Sequence, residues 1–83
     1  MKNDFLKAVS SELKIIRIEN NDLQEDLSEK SGVAMSTISR YESQERNMNI
    51  DKIEQILRPY GIDLYIFFNR ILAKTQNKQK IER

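Results

Sequence analysis

The side chains that could do chemistry are few. Histidine and cysteine are both absent from the 83 residues, which excludes imidazole bases, thiolate nucleophiles, disulfides and the usual zinc ligands together. Glu25 and Glu29 stand four residues apart and would share one helix face, but among polar neighbours that spacing gives a solvated acidic stripe, not an acid/base pair. With only two glycines there is no glycine-rich phosphate loop. No catalysis, cofactor, metal or small-molecule ligand is therefore expected. What is left is a surface suited to contact and hydrogen bonding: Met35, Ser36, Ser39 and Arg40 recur on one side of a helix whose other side is Val33, Ile38 and Tyr41. Polar side chains on an exposed helix are ordinarily just solvated, and only the shared face singles these out.

The elements that must hold that face are helices, because the apolar residues recur at helical spacing rather than alternating and a single proline interrupts them. A first helix is expected from about Asp4 to about Glu19, with Phe5, Leu6, Val9, Leu13 and Ile16 on one stripe. A second runs from about Leu23 to Lys30, where Asp22 and Glu25 have the form of a capping box and Gly32 supplies the stop. The third runs from near Ala34 to near Glu42. Asn49 caps a fourth through Leu57, with Ile50, Ile53, Ile56 and Leu57 inward, closed by Pro59 and Gly61. The fifth runs from Leu64 to about Lys74, although Ile62 to Phe68 is rich enough in β-formers to make a strand. Residues 1–74 thus read as one domain and 75–83 as a polar, flexible tail.

Two short helices joined by a tight turn containing glycine are the local signature of a helix-turn-helix. Across Gln24 to Ser43, Ser28 is small where the two helices approach, Leu27, Val33, Ile38 and Tyr41 fill the wedge, and Gly32 makes the turn. The pattern Gln24-Glu25, Leu27, Gly32-Val33, Ile38-Ser39 and Glu42, followed by Arg46-Asn47, Ile50, Ile53, Ile56 and Tyr60-Gly61-Ile62, resembles the Cro/lambda-repressor-type (XRE) regulators over about residues 9 to 68. More finely, it is similar to restriction-modification controller proteins and small phage repressors.

The resemblance implies an all-α, five-helix lambda-repressor-like DNA-binding domain whose third helix enters the major groove of double-stranded DNA, a groove about as wide as a helix. Met35, Ser36 and Arg40 match base-reading positions: Arg40 suits guanine O6 and N7, Ser36 several bases, and Met35 a thymine methyl. Gln24, Ser39, Ser43, Arg46 and Asn47, with Thr37, match backbone contacts. Arg17 and Glu42 match a structural ion pair packing the first helix on the third.

Charge distribution gives less support. Net charge is +1; residues 24–43 carry two basic and four acidic side chains, and 61–83 carry five and two. Phosphate neutralisation supplies most of the sequence-independent affinity, so few ion contacts per subunit are expected. One such domain covers only about 600 to 1,000 Å² on DNA, and the fifth helix is more apolar than docking on its own domain requires. A homodimer is therefore expected, with Leu64, Phe67, Phe68 and Ile71 at its interface. No membrane contact is expected and a cytoplasmic location is. The competing function is a protein-binding module, an antitoxin or antirepressor whose main partner is another protein.

Overall fold

The computed structural model describes residues 4–43 and 47–82, and of residues 76–82 the backbone only. Five helices follow one another: α1 Asp4–Glu19, α2 Gln24–Ser31, α3 Met35–Glu42, α4 Ile50–Leu57 and α5 Leu64–Glu82, with a 3₁₀ turn over Arg58–Tyr60 between the last two. The all-α architecture is as the apolar spacing predicts.

α1 is free of glycine and proline along its length and ends where Asn20 turns back on it. The Asn20 side-chain amide donates to the Ile16 carbonyl at 2.8 Å, and Asn21 takes a left-handed conformation at φ 59°, which asparagine tolerates better than most residues. The start of α2 differs from the expected capping box. Leu23, extended at φ −80° and ψ 166°, is the cap residue, and its N–H donates to the Asp26 carboxylate at 2.8 Å. Asp22 is instead taken up by Lys30 and Tyr60.

Gly32 ends α2 at φ 79°, donating its N–H to the Ser28 carbonyl at 2.9 Å. A Cβ there would sit 3.6 Å from Gln55 Nε2, an ordinary contact, so conformation, not space, calls for glycine. Ser28 completes the turn by donating its hydroxyl to the Val33 carbonyl at 2.7 Å. The Tyr41 hydroxyl accepts the Asn49 N–H at 2.9 Å, and Asn49 Oδ1 accepts from the Lys52 N–H at 3.2 Å, which seats α4 against the end of α3. Pro59, lacking an N–H, falls in the 3₁₀ turn, and Gly61 at φ 68° redirects the chain. Asp63 then caps α5 by accepting the Ile66 N–H at 2.9 Å.

The core draws on all five helices: Val9, Leu13 and Ile16 of α1, Leu27, Val33, Ile38 and Tyr41 of the central pair, Ile53, Ile56 and Leu57 of α4, and Phe67 and Ile71 of α5. Ile50, expected inward, is the first residue of α4 and is exposed. Residues 62–68 form no strand, and α5 continues past Lys74 to Glu82, where a flexible tail was expected; nothing from 64 to 82 is glycine or proline, and its lysines and glutamines favour helix.

Candidate nucleic-acid interface

α3 is anchored by its inward face. Ile38 and Tyr41 are 1% and 5% exposed, with Thr37 half-buried at the margin. The opposite face leaves Met35, Ser36, Ser39 and Arg40 exposed, and among the described residues the Arg40 guanidinium has no hydrogen-bond or ion-pair partner. Ala34, the residue before α3, offers no side-chain cap, so amides at the positive end of this helix dipole are left for another acceptor. At the other end, Ser43 donates both its N–H and its hydroxyl to the Arg40 carbonyl, at 3.2 and 3.0 Å.

A polar cluster fixes the attitude of this face. Arg17 donates Nε and Nη2 to the two oxygens of Glu42 at 2.8 and 3.0 Å, and its Nη1 to the Asp22 carbonyl at 2.7 Å. One guanidinium thereby ties α1 to the end of α3 and the start of α2. The hydrogen bond that Arg17 donates to Glu42 raises the Arg17 pKa above its ordinary value against the opposing effect of burial. Gln24 donates Nε2 to Glu42 at 3.1 Å, so its amide is held on the structural pair while standing at the head of α2. Asp22 accepts from Lys30 at 2.8 and 3.0 Å and from the Tyr60 hydroxyl at 2.8 Å. Lys30 first and Tyr60 second hold the Asp22 carboxyl below its ordinary value, and burial followed by the Asp22 hydrogen bond pushes the Tyr60 hydroxyl up.

This pairing bears on the acidic excess of the motif. Glu42 is neutralised by Arg17 from outside the segment and Asp26 is turned onto the Leu23 N–H, so Glu25 and Glu29 are its acidic groups without a partner among the described residues. Asn47 is exposed beyond α3; Arg46 lies outside the described residues.

The residues expected at a dimer interface divide. Phe67 and Ile71 are 0% and 3% exposed and fill the protomer's own core, which corrects their expected place at an outer surface. They lie four residues apart on one stripe of α5, whereas Leu64, Phe68 and Leu72 lie on the neighbouring stripe, the first two half-buried and the third exposed. With Tyr65 and Asn69 these three line a shallow groove, and Phe5 of α1 stacks on Phe68 with ring centroids 5.9 Å apart.

Sequence reasoning missed a second charged cluster. Glu12 is 2% exposed on the inward stripe of α1, accepting from Arg70 Nε and Lys74 Nζ at 2.6 Å each. Its signal was available: Glu12 interrupts the run Val9, Leu13, Ile16 with a charge at a position a helix should bury. Tyr60 was missed as well, and its partner across 38 residues left no local mark. Among the described residues no group of acidic side chains is placed to hold a metal ion, and no helix is long and apolar enough to cross a membrane.

The chain matches the helix-turn-helix family model over residues 13–67. Among solved structures it is similar to the wild-type restriction-modification controller protein C.Esp1396I, with 31% identity over 89% of this chain and 96% of that one and a TM-score of 0.79. It is also similar to the same protein as a tetramer with its natural 35 base-pair operator, at 33% identity, 84% and 92% coverage and a TM-score of 0.77. The corresponding figures for its complex with a 25 base-pair operator site are 32%, 86%, 93% and 0.75. No curated protein sequence matches. Residue spacing, five-helix fold and these likenesses agree, and the chain belongs to the XRE-type helix-turn-helix family of DNA-binding transcription regulators.

Proposed function

We propose that the protein is a homodimeric, sequence-specific regulator of the restriction-modification controller kind, placing α3 of each protomer in the major groove of a pseudo-palindromic operator. The observation that carries this reading is the division of α3 into a buried anchor, Ile38 and Tyr41, and an exposed, unpartnered face, Met35, Ser36 and Arg40. Arg40 reads guanine through its two-pronged guanidinium, Ser36 donates to or accepts from a base edge, and Met35 packs on a thymine methyl. Gln24, Thr37, Ser39, Ser43, Arg46 and Asn47 meet the sugar-phosphate backbone. Gln24 does so with the amide proton that Glu42 does not take, beside the free amides opening α2. That the similar controller protein occurs bound to a 25 base-pair operator site and, as a tetramer, to its natural 35 base-pair operator supports an operator DNA target bound by more than one protomer.

The second protomer packs along Leu64, Phe68 and Leu72. It sets the two reading helices about one duplex turn, roughly 34 Å, apart. The role is one of binding, not catalysis, and is exercised on DNA in the cytoplasm. Selection of bound sequences from a random duplex pool tests all of this: an enriched inverted repeat with a fixed centre-to-centre distance is expected. If no duplex is retained at low salt, the protein-binding alternative replaces this reading.

A further inference from the structure

α5 carries three stripes, and their arrangement matters more than their composition. At about 100° per residue, Phe67 and Ile71 point into the core, Leu64, Phe68 and Leu72 lie to one side of them, and Arg70 and Lys74 lie to the other. The apolar side is the surface offered to a second protomer. The charged side is fastened to α1: both oxygens of Glu12 are engaged, Oε2 by Arg70 and Oε1 by Lys74, at 2.6 Å each. Arg70 reaches on to Glu19, two turns further along α1, at 3.1 and 3.2 Å. One buried carboxylate on α1 thus grips α5 at two points a helical turn apart, and a second carboxylate steadies the grip.

Packing alone does not hold α5 this way. The apolar contacts lie to one side: Phe67 and Ile71 are buried, Leu64 and Phe68 pack against the core beside them and Phe5 stacks on Phe68, whereas the flank bearing Arg70 and Lys74 is held to α1 by charge. A roll would stretch both Glu12 hydrogen bonds at once. The bonds fix rotation about the helix axis and position along it, the two quantities that decide where Leu64, Phe68 and Leu72 face. Stability is a poor explanation for the cluster, because taking a carboxylate out of water costs about as much as its partners return, and a buried ion pair is often matched by apolar residues of similar size. Directional contacts of this kind serve geometry instead.

We propose that Glu12 is a positioning residue that sets the rotational register of α5, and through it the angle at which two protomers meet and the half-site spacing the dimer accepts on DNA. This rests on the reading that the chain dimerises through α5 and binds two half-sites. Two reading helices on rigidly joined protomers tolerate little error: each added base pair moves a half-site about 3.4 Å along the duplex and turns it about 34° around the axis. A loose joint between protomers relaxes that requirement without touching the residues that read bases.

The test compares wild type with Glu12→Met, in which Arg70 and Lys74, 31% and 56% exposed at the side chain, are free to turn to water. The measurement is binding to duplexes carrying the selected half-sites at the preferred spacing and at one base pair more or less, alongside melting temperature, dimer mass and affinity for an isolated half-site. Glu12→Met is expected to melt as high as wild type, to stay dimeric and to keep its half-site sequence preference. Its preference for the correct spacing should fall by about tenfold, which corresponds to about 1.4 kcal/mol. If wild type selects one spacing and the variant keeps the same sharpness, the register role is overturned while the reading of the dimer stands. If wild type shows no spacing preference, or is monomeric on DNA, the dimer reading fails and takes this role with it. Lys74→Met, at the exposed end of the cluster, guards against a misfolded Glu12 variant: it should loosen spacing in the same direction, and unchanged sharpness overturns the proposal.

Discussion

Two carboxylates sit at opposite ends of α1's partnerships, and their surroundings differ instructively. Glu42 is held by Arg17, whose side chain is only 10% exposed, so both charges of that pair are buried. Glu12 is as deeply buried, but its partners come in from the solvent side, with Lys74 more than half exposed. The first cluster is closed: neither partner has water to retreat to, and losing one strands the other. The second is hinged: its cations can leave. A closed pair makes the reading unit all-or-none with folding, whereas a hinged one, on the proposal above, adjusts how two folded protomers are joined.

The largest expected effect breaks the closed pair. Arg17→Met leaves the Glu42 carboxylate buried with Gln24 as its one remaining side-chain donor, and should cost about 3–5 kcal/mol in equilibrium unfolding; a loss below about 1 kcal/mol would show that Glu42 reaches water and that the pair is not closed. Arg40→Ala separates reading from holding. It should cost about 1–3 kcal/mol in discrimination at one operator position and leave the unfolding free energy within about 0.5 kcal/mol of wild type. A comparable loss on every duplex sequence would make Arg40 a phosphate contact.

Acid titration sharpens the comparison further. Burial alone would push the Glu12 carboxyl up, but hydrogen bonds and charge from Lys74 and Arg70 outweigh it and hold it below its ordinary value of 4.5. A carboxyl depressed in the folded state contributes stability that is fully present above its unfolded pKa and is lost as pH falls through the folded one. Unfolding free energy should therefore decline as pH drops below about 4.5, with a shallower decline in Glu12→Met. Parallel acid curves for the two proteins would place the acid sensitivity elsewhere, with Asp22 the next candidate. The smallest effect is a gain: the Ser10 hydroxyl is fully buried and has no hydrogen-bond partner among the described residues, so Ser10→Ala should stabilise by up to about 1 kcal/mol. A loss on that substitution would reveal a hydroxyl partner.

The reading unit was legible because its interactions are short in sequence. Leu27, Val33 and Ile38 all fall within 12 residues, and Gly32 marks the turn by the one property glycine alone supplies cheaply. Exposure of Met35, Ser36 and Arg40 follows from that spacing once Ile38 and Tyr41 are known to face inward. The start of α2 was less legible: Asp22, Glu25 and Asp26 are all chemically able to cap it, and Asp26 takes the Leu23 N–H while Asp22 is engaged by Lys30 and by Tyr60, 38 residues on. α5 runs to Glu82, well past its apolar start, because a chain rich in lysine and glutamine can propagate a helix begun by an apolar segment.

What the sequence by itself determined is the set of helices, the turn and the outward face of α3, since periodicity and local hydrogen bonding are properties of neighbouring residues. Only the tertiary structure decided which of α5's two apolar stripes would be fully buried, sending Phe67 and Ile71 inward and leaving Leu64 and Phe68 half-buried and Leu72 exposed, and whether Glu12 would be exposed or clasped. A helix with apolar residues on two adjacent stripes satisfies the same local rules in either rotation. The rotation is fixed only when contacts from a distant helix, here those of α1 through Phe5 and Glu12, make one of them lower in energy.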